Sequence, residues 1–264
     1  MTVAGQPESD DWNRHWGAFG DAVSGNPATT YRCRLILKFL GEIDSDAVVL
    51  EIGCGQGELA LLLAETFPEA HVRGIDNSAE GVMRAARTAR ERRLSACFAQ
   101  RDLLKKAPLD DDDRGRATFA VCSEVLEHVD RPDVLLRNAS DYLAPGCRLV
   151  VTVPGGPRSA FDRHIGHRRH FTARRLRRLL EESGFGDVTV HRAGFPFFDL
   201  YRLVVIARGR RLIADVEQSK DALGDGTSGA ALRFFNRIFR YNLDSSPFGW
   251  QLLAVARRSE DLAS

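Results

Sequence analysis

Glycine and carboxylate residues that could hold a bulky ligand follow an apolar stretch near residue 50. From Val48 to Leu59 the chain reads Val-Val-Leu-Glu-Ile-Gly-Cys-Gly-Gln-Gly-Glu-Leu. Gly53, Gly55 and Gly57 carry no Cβ and tolerate positive φ, so this backbone can turn sharply and lie close to a ligand. The carboxylate of Glu51 can accept hydrogen bonds from a hydroxyl or an amine. The segment predicts a strand, a ligand-binding turn and a helix, and it favours a neutral or cationic ligand over phosphate.

The spacing of these glycines separates two kinds of nucleotide-binding turn. A dinucleotide-binding turn has the pattern Gly-x-Gly-x-x-Gly and places a pyrophosphate at the start of the following helix. Here Glu58 stands where the third glycine would be. Its carboxylate suits the helix dipole, but it would repel a pyrophosphate at the same place. A nicotinamide-dependent oxidoreductase is therefore the alternative and not the preferred interpretation.

Acidic residues recur at the ends of further predicted strands. Val72 to Asp76 predicts a second strand, and its terminal acid lies at about 20 residues from the turn, the distance at which a carboxylate meets ribose hydroxyls. Ala96 to Leu103 predicts a third strand with Asp102 near its end. Thr118 to Val129 predicts a fourth strand, and Tyr142 to Pro154 predicts a helix end, a Pro-Gly turn and a fifth strand.

These landmarks resemble those of the class I S-adenosylmethionine-dependent methyltransferases. The shared features are the Gly-x-Gly-x-Gly turn after an acid, the acids at Asp76 and Asp102, and the run Glu-Val-Leu-Glu-His-Val from Glu124 to Val129. The resemblance covers Val48 to Pro154. It implies that S-adenosylmethionine is the cofactor and that Asp102 accepts a hydrogen bond from the adenine amine. The cofactor-binding residues expected from it are Glu51, Gly53, Cys54, Gly55, Gly57, Asp76, Asn77, Asp102, Leu103, Ser123 and Glu124.

The resemblance also implies the fold class, which is α/β with a seven-stranded, mostly parallel Rossmann-like sheet and helices on both faces. We expect an N-terminal helical lid segment at residues 1–45, a cofactor-binding core at 46–193, a helical insertion at 194–249, and a final strand and tail at 250–264. In the first segment Trp12, Trp16 and Phe19 recur at helical spacing. Two interpretations of these aromatic residues stay open: they fold across cofactor and substrate, or they pack on the sheet.

The segment 194–249 is far longer than an ordinary strand connection, and long insertions usually serve a function. It contains an aromatic-rich stretch from Phe195 to Tyr201, a predicted helix from Leu203 to Gln218, and a second predicted helix that carries Leu232 and Phe239. Such helices could roof an apolar acceptor pocket, form a homodimer interface or lie on a membrane surface. We favour the roof over the homodimer, and we expect no membrane contact.

Composition narrows the classes of partner. The formal net charge of +1 creates no overall field that would attract nucleic acid or an anionic membrane. The five cysteines are scattered and none has Cys-x-x-Cys spacing, which indicates reduced thiols and no cysteine metal site. The N-terminus lacks a signal-peptide pattern, and no apolar run reaches the roughly 18 residues of a spanning helix. We therefore expect a cytoplasmic protein that binds no nucleic acid, membrane or metal.

Histidines are the candidates for a catalytic base. Methyl transfer from a sulfonium needs a base only when the accepting atom must lose a proton, and histidine can take one near neutral pH. His128 follows the fourth strand, while His164 and His167 lie in the stretch Asp-x-His-x-Gly-His-x-x-His-Phe-Thr, which ends at Thr172. Structural roles are the alternatives, namely packing for His128 and bracing of a loop for His167. Three histidines without a cysteine or a carboxylate at matched spacing do not indicate a zinc site.

The function that these patterns predict is methyl transfer from S-adenosylmethionine to a partly apolar small molecule by in-line displacement. Oxygen is the first choice of accepting atom. The alternatives are a nicotinamide-dependent oxidoreductase and a cofactor-binding module without catalysis.

Overall fold

Seven strands form the centre of the protein. The computed structural model describes residues 26–106, 109, 113–218 and 227–259. The strands are β1 (Val48–Ile52), β2 (His71–Asp76), β3 (Ala96–Gln100), β4 (Ala117–Ser123), β5 (Leu143–Pro154), β6 (Phe185–Ala193) and β7 (Gln251–Arg258). The helices are α1 (Pro27–Leu40), α2 (Glu58–Thr66), α3 (Ala79–Arg92), α4 (Pro132–Ser140), α5 (Ala160–His164), α6 (Ala173–Glu182), α7 (Phe197–Gln218) and α8 (Thr227–Ile238).

The strand order is β3-β2-β1-β4-β5-β7-β6, and β7 runs antiparallel to both of its neighbours. The predicted seven-stranded, mostly parallel Rossmann-like sheet is therefore confirmed. The chain reverses its direction of strand addition between β1 and β4, and such a switch point opens a crevice at the carboxyl ends of the strands. Ile52 of β1 pairs with Ile75 on one side and with Cys122 on the other. The residues that follow β1, β2 and β4 therefore meet at one edge of the sheet.

Apolar residues on both faces of the sheet explain why its central strands read as nearly continuous hydrophobic runs. Neighbouring strand residues point to opposite faces. Leu50 and Ile52 belong to one buried cluster, together with residues of α4 and α6. Val49 belongs to the other cluster, with α1, α2 and residues of α7. The core thus lies in two layers, and it fixes the strand ends that carry the acidic residues.

Local signals set the helix boundaries. Asn26 caps α1 by accepting a hydrogen bond from the amide of Ala28, and Pro27 occupies the first helical position. Ser78 caps α3 in the same way. Thr172 caps α6, because its side chain accepts a hydrogen bond from the amide of Arg175.

Several predicted boundaries were wrong. Strand β5 begins at Leu143 and not after the Pro-Gly turn, because a register shift between Ala117 and Phe119 keeps this stretch paired with β4. Helix α7 begins at Phe197 rather than Leu203, because Asn242 accepts hydrogen bonds from the amides of Phe197 and Phe198 and so caps the earlier turn. The N-terminal aromatic residues Trp12, Trp16 and Phe19 lie outside the described residues.

Between β6 and β7, helices α7 and α8 build an aromatic cluster against α1. The ring of Tyr201 lies 5.2 Å from that of Phe235 and 5.7 Å from that of Phe239, measured between centroids. Tyr31 of α1 joins the cluster through Phe198, at 5.6 Å. Helix α7 is interrupted by a non-helical Gly209. Among the helices that the structure describes, none is long and apolar enough to cross a membrane.

Candidate functional site

The glycine turn has the backbone geometry that its sequence predicts. Gly53, Gly55 and Gly57 have φ values of 73°, 51° and 81°, a region that side chains with a Cβ rarely enter. The amides of Gly53 and Cys54 both donate to the carbonyl of Ile75 in β2. A Cβ on Gly53 would lie 2.4 Å from Val125. The turn is therefore held between β2 and the segment after β4. At Gly53 there is space for a hydrogen atom but not for a side chain.

Two carboxylates shape this turn, of which Glu51 is buried and Asp76 is half-buried. Glu51 accepts a 2.8 Å hydrogen bond from the amide of Ala60 in the first turn of α2. Asp76 accepts from the amides of Gly55 and Ser78, each at 2.8 Å. Burial raises the pKa of Glu51 well above its usual range and also raises the pKa of Asp76. Two acids at one turn favour a ligand that brings positive charge or hydrogen-bond donors.

Beside the turn lies an open cleft with about 630 Å³ of empty space, part of which is continuous with solvent. The predicted site residues among those that line it are Gly53, Asp76, Asn77, Asp102, Leu103, Glu124 and His128. Asp102 forms a 2.9 Å ion pair with Lys105, whose side chain is 81% exposed. Such an exposed pair is weak, so Asp102 can exchange this partner for a ligand.

The other predicted cofactor residues support the cleft from behind. Cys54 is buried, and its thiol packs close to Gly74 in β2. Ser123 forms a 2.9 Å hydrogen bond between its hydroxyl and that of Thr152. Gly57 is the N-cap residue of α2.

Glu124 marks the end of the cleft nearest to β5 and β7. It has a φ of 56°, which is uncommon for a residue with a side chain and typical of functional sites. Its carboxylate accepts a 3.0 Å hydrogen bond from Gln251 and lies 3.7 Å from the guanidinium of Arg32 in α1. Sequence reasoning missed both partners. A glutamine that opens an otherwise apolar final strand was the signal for Gln251, whereas nothing local marked Arg32.

A chain of histidines extends from the cleft into the protein. The rings of His128 and His167 meet edge to face, with centroids 4.7 Å apart. Nδ1 of His167 lies 3.1 Å from Nε2 of His170, and Nδ1 of His170 lies 3.1 Å from the carbonyl oxygen of Gly156. Burial lowers the pKa of His167 to about 3 and also lowers the pKa of His170, so both rings are neutral at pH 7.

The carbonyl of Gly156 settles which nitrogen of each ring carries its proton. A carbonyl only accepts, so Nδ1 of His170 is the donor and Nε2 of this neutral ring is an acceptor. Nδ1 of His167 therefore donates to His170. Nε2 of His167 is left with an available lone pair, as a base or a metal ligand requires.

Two carboxylates lie within this histidine group. Asp162 is fully buried and pairs with both guanidinium nitrogens of Arg202 in α7, at 3.0 and 2.8 Å. Arg202 outweighs the effect of burial and holds the pKa of Asp162 well below its usual range. Glu127 is also fully buried, but neither of its oxygens has a hydrogen-bond partner among the described residues. Burial and the nearby Glu124 raise the pKa of Glu127.

The structure separates the three candidate bases. His128 lines the cleft, and His167 lies directly behind it. His164 is exposed at the end of α5 and is not part of the cleft lining.

The glycine turn, the acid at each strand end and the adjoining cleft fit S-adenosylmethionine, because its sulfonium and ammonium groups are cationic and its ribose carries hydroxyls.

Comparison with known proteins agrees with this geometry. A family model described as a methyltransferase domain matches residues 28–190. A trans-aconitate 2-methyltransferase of Streptomyces avermitilis is 34% identical over 128 residues, which are 46% of this chain and 45% of that protein. A ubiquinone biosynthesis O-methyltransferase of Glaesserella parasuis is 34% identical over 107 residues, which are 39% of this chain and 44% of that protein.

The fold is also found in solved structures. One is phosphoethanolamine N-methyltransferase 2 of Haemonchus contortus in complex with S-adenosyl-L-methionine, with a TM-score of 0.58 and 18% identity over 87% of this chain and 52% of that one. The chain spans about half the length of the curated relatives it matches. Because the family model covers more than half of the 264 residues, the chain belongs to the class I S-adenosylmethionine-dependent methyltransferases.

Proposed function

We propose that the protein transfers the methyl group of S-adenosylmethionine to a hydroxyl oxygen of a partly apolar small molecule. The observation that carries this proposal is the position of His128 in the lining of the same cleft as Asp76 and Asp102. A donor bound along the acids would have a histidine beside it. The O-methyltransferase among the relatives supports oxygen as the accepting atom.

The proposed cofactor site has three parts. Asp76 binds the ribose hydroxyls with the lone pairs that its two backbone hydrogen bonds leave available, and Asp102 accepts from the adenine amine. Glu51 holds the glycine turn through its bond to α2 and favours the cationic end of the cofactor. The remaining members of the proposed set, Gly53, Cys54, Gly55, Gly57, Asn77, Leu103, Ser123 and Glu124, shape the cleft around these contacts.

The chemistry then needs alignment more than activation. The sulfonium is already a good leaving group, so the protein mainly orients the acceptor and excludes water. When the acceptor is a hydroxyl, the oxygen attacks the methyl carbon as the carbon–sulfur bond breaks, and its proton must be removed. We assign this role to His128, with His167 as its buried support. His164 is the weakest of the three candidates because it is exposed at the end of α5.

Two segments outside the strands would cover the acceptor. Arg32 of α1 reaches Glu124 at the cleft, and Arg202 of α7 reaches Asp162 behind it. We therefore propose that α1 and the insertion at 194–249 form the walls of the acceptor pocket, in keeping with the roof interpretation. A homodimer through the same insertion is the second candidate for its use. The proposed partners are small molecules, without nucleic acid or membrane.

Calorimetric titration with S-adenosylhomocysteine tests the donor site. We expect the wild type to bind and Asp76→Ala to lose at least about tenfold in affinity, because it removes hydrogen bonds of a charged group. Gly55→Val should also weaken binding, since valine is strained at positive φ. Glu69→Ala is the matched control, because Glu69 is exposed and lies outside the cleft lining. Absence of binding by the wild type would refute the proposal.

Supplying a labelled methyl donor with a panel of phenols, alcohols and amines tests the acceptor. Label on a phenol or alcohol supports the proposal, whereas label only on amines, protein or RNA contradicts the oxygen assignment. A fluorescence titration with reduced nicotinamide dinucleotides separates the oxidoreductase alternative. Binding of these dinucleotides in preference to S-adenosylhomocysteine would favour that alternative.

A further inference from the structure

Glu127, His128 and His167 come together at the inner end of the cleft. One potential ligand atom of each lies within 4.8 Å of those of the other two. Glu127 and His128 are neighbours in the segment after β4, whereas His167 comes from the loop after α5. These three residues show no metal-binding spacing along the sequence, because they meet only in the folded chain.

The carboxylate of Glu127 is the unusual member of this group. Its side chain is 0% exposed, and neither oxygen has a hydrogen-bond partner among the described residues. A buried carboxylate without partners is costly, so such groups are normally paired, protonated or bound to a metal. The nearby arginines are paired elsewhere, Arg202 with Asp162 and Arg32 with Glu124.

His167 is already arranged as a ligand. Its Nδ1 donates to His170, and this leaves the lone pair of Nε2 available. Histidines that bind metals usually donate their other ring nitrogen to a neighbouring acceptor, which fixes the orientation of the ring. His170 and the carbonyl of Gly156 provide this support at 3.1 Å each.

A second group of potential ligands, Asp162 with His167 and His170, is less suitable. Both oxygens of Asp162 bind Arg202, and one also accepts from the amide of Ser159. A cation there would have to displace the guanidinium. Neither oxygen of Glu127 has such a competitor among the described hydrogen bonds.

We propose that Glu127, His128 and His167 bind one divalent transition-metal cation of the Zn²⁺ or Co²⁺ type. Two imidazoles and one carboxylate are a common ligand set for these ions and leave a coordination position open, whereas Mg²⁺ and Ca²⁺ prefer oxygen ligands throughout. Ligand bonds of about 2.0–2.1 Å place tetrahedral ligand atoms about 3.4 Å apart, so side-chain rotation has to close each pair by at most about 1.4 Å. The cleft is the route of entry, since His128 lines it.

The open position would face the acceptor end of the cleft. There a metal can bind an acceptor oxygen and lower its pKa, in place of direct proton removal by His128. This role rests on the proposed function, whereas the metal site itself does not. Binding and methyl transfer are therefore measured separately.

Titration of chelator-treated protein with Co²⁺, followed by visible absorption, tests the site. We expect one equivalent to bind to the wild type with the spectrum of a nitrogen and oxygen ligand set. Glu127→Gln conserves the shape of the side chain and should weaken Co²⁺ binding at least about tenfold, as expected for loss of a ligand. His164→Gln is the matched control, because it removes an exposed histidine of the neighbouring helix and should bind like the wild type.

Thermal unfolding keeps the test valid if a variant is less stable. Zn²⁺ should raise the Tm of the wild type and of His164→Gln by the same amount, and it should raise the Tm of Glu127→Gln clearly less. Equal Co²⁺ binding by the wild type and Glu127→Gln, or no binding by the wild type, would overturn the metal site. A metal-free protein that still binds S-adenosylhomocysteine and transfers methyl groups would exclude the catalytic role of the metal and leave the proposed function standing. A protein that binds Co²⁺ but not S-adenosylhomocysteine would support the metal site and refute the proposed function.

Discussion

His167 makes folding sensitive to acid in a direction that its burial determines. Its pKa falls from 6.5 to about 3 in the folded protein. Above pH 6.5 the ring is neutral in both the folded and the unfolded chain, so its full contribution to stability is present there. As the pH falls below 6.5 the unfolded chain takes up a proton that the folded protein does not, and stability is lost until about pH 3.

We predict that replacing His167 makes stability less dependent on pH. Between pH 7 and pH 5 the ring should cost the metal-free wild type up to about 2 kcal/mol of unfolding free energy, at about 1.4 kcal/mol per pH unit. Over this range the unfolding free energy of His167→Gln should therefore fall by up to about 2 kcal/mol less than that of the wild type. Urea unfolding at the two pH values measures it, with His164→Gln as the control that behaves like the wild type. An equal loss in both variants would show that His167 does not cause the effect.

At the scale of elements, two glycines with similar φ values can be compared, one in the glycine turn and one directly after α1. Gly53 and Gly41 have φ values of 73° and 76°. A Cβ on Gly53 would lie 2.4 Å from Val125, whereas a Cβ on Gly41 would meet nothing within 4 Å. Alanine is strained at both of these positive φ values, and Gly41, with a ψ of −153°, lies in a region that is essentially restricted to glycine. Only Gly53→Ala adds a steric clash.

We therefore predict that Gly53→Ala weakens binding of S-adenosylhomocysteine at least about tenfold, which corresponds to about 1.4 kcal/mol. Gly41→Ala should lower the unfolding free energy by about 1–3 kcal/mol and leave the affinity unchanged. Calorimetry and urea unfolding of both variants provide the data. Similar affinities for the two variants would mean that the fit between Gly53 and Val125 does not shape the cofactor site.

The pair between α5 and α7 is a further test at this scale. Asp162 is fully buried and the Arg202 side chain is 13% exposed. Removing one partner of a buried ion pair typically costs about 3–5 kcal/mol, whereas an exposed pair contributes about 0–1 kcal/mol. We predict that Arg202→Ala lowers the unfolding free energy by about 3–5 kcal/mol. The control is Arg178→Ala, which removes an exposed i,i+4 pair with Glu182. A loss below about 1 kcal/mol in Arg202→Ala would show that the pair does not hold the insertion in place.

Features that depend on residues close together in the chain were predicted from the sequence, and contacts between residues far apart in the chain were not. The turn at Gly53 and the strands around it were predicted because glycine spacing and apolar runs are local signals. The partners of Glu124, namely Arg32 and Gln251, are 92 and 127 positions away in the chain, and no local pattern connects them. The Glu127–His167 neighbourhood escaped prediction for the same reason. The ion pair of Asp113 with Arg73 of β2, 40 positions away, is a further contact of this kind.

At the scale of the whole molecule, ligand binding and folding are coupled through the sheet. The cleft takes residues from the segments after β1, β2, β3 and β4, which are separate in the chain. These residues meet only when the strand order of the folded sheet is formed. An unfolded chain therefore offers no cofactor site, and a ligand of the cleft binds the folded state alone.

This coupling predicts a thermal shift that also discriminates between cofactors. S-adenosylhomocysteine at about 100 times its Kd should raise the unfolding free energy by about 2.7 kcal/mol. For a chain of this size each kcal/mol corresponds to about 2–4 °C, so the Tm should rise by about 5–10 °C. A reduced nicotinamide dinucleotide at the same concentration should leave the Tm unchanged, because Glu58 in the first turn of α2 repels a pyrophosphate there. A larger shift with the dinucleotide would contradict the assignment of this cleft to S-adenosylmethionine.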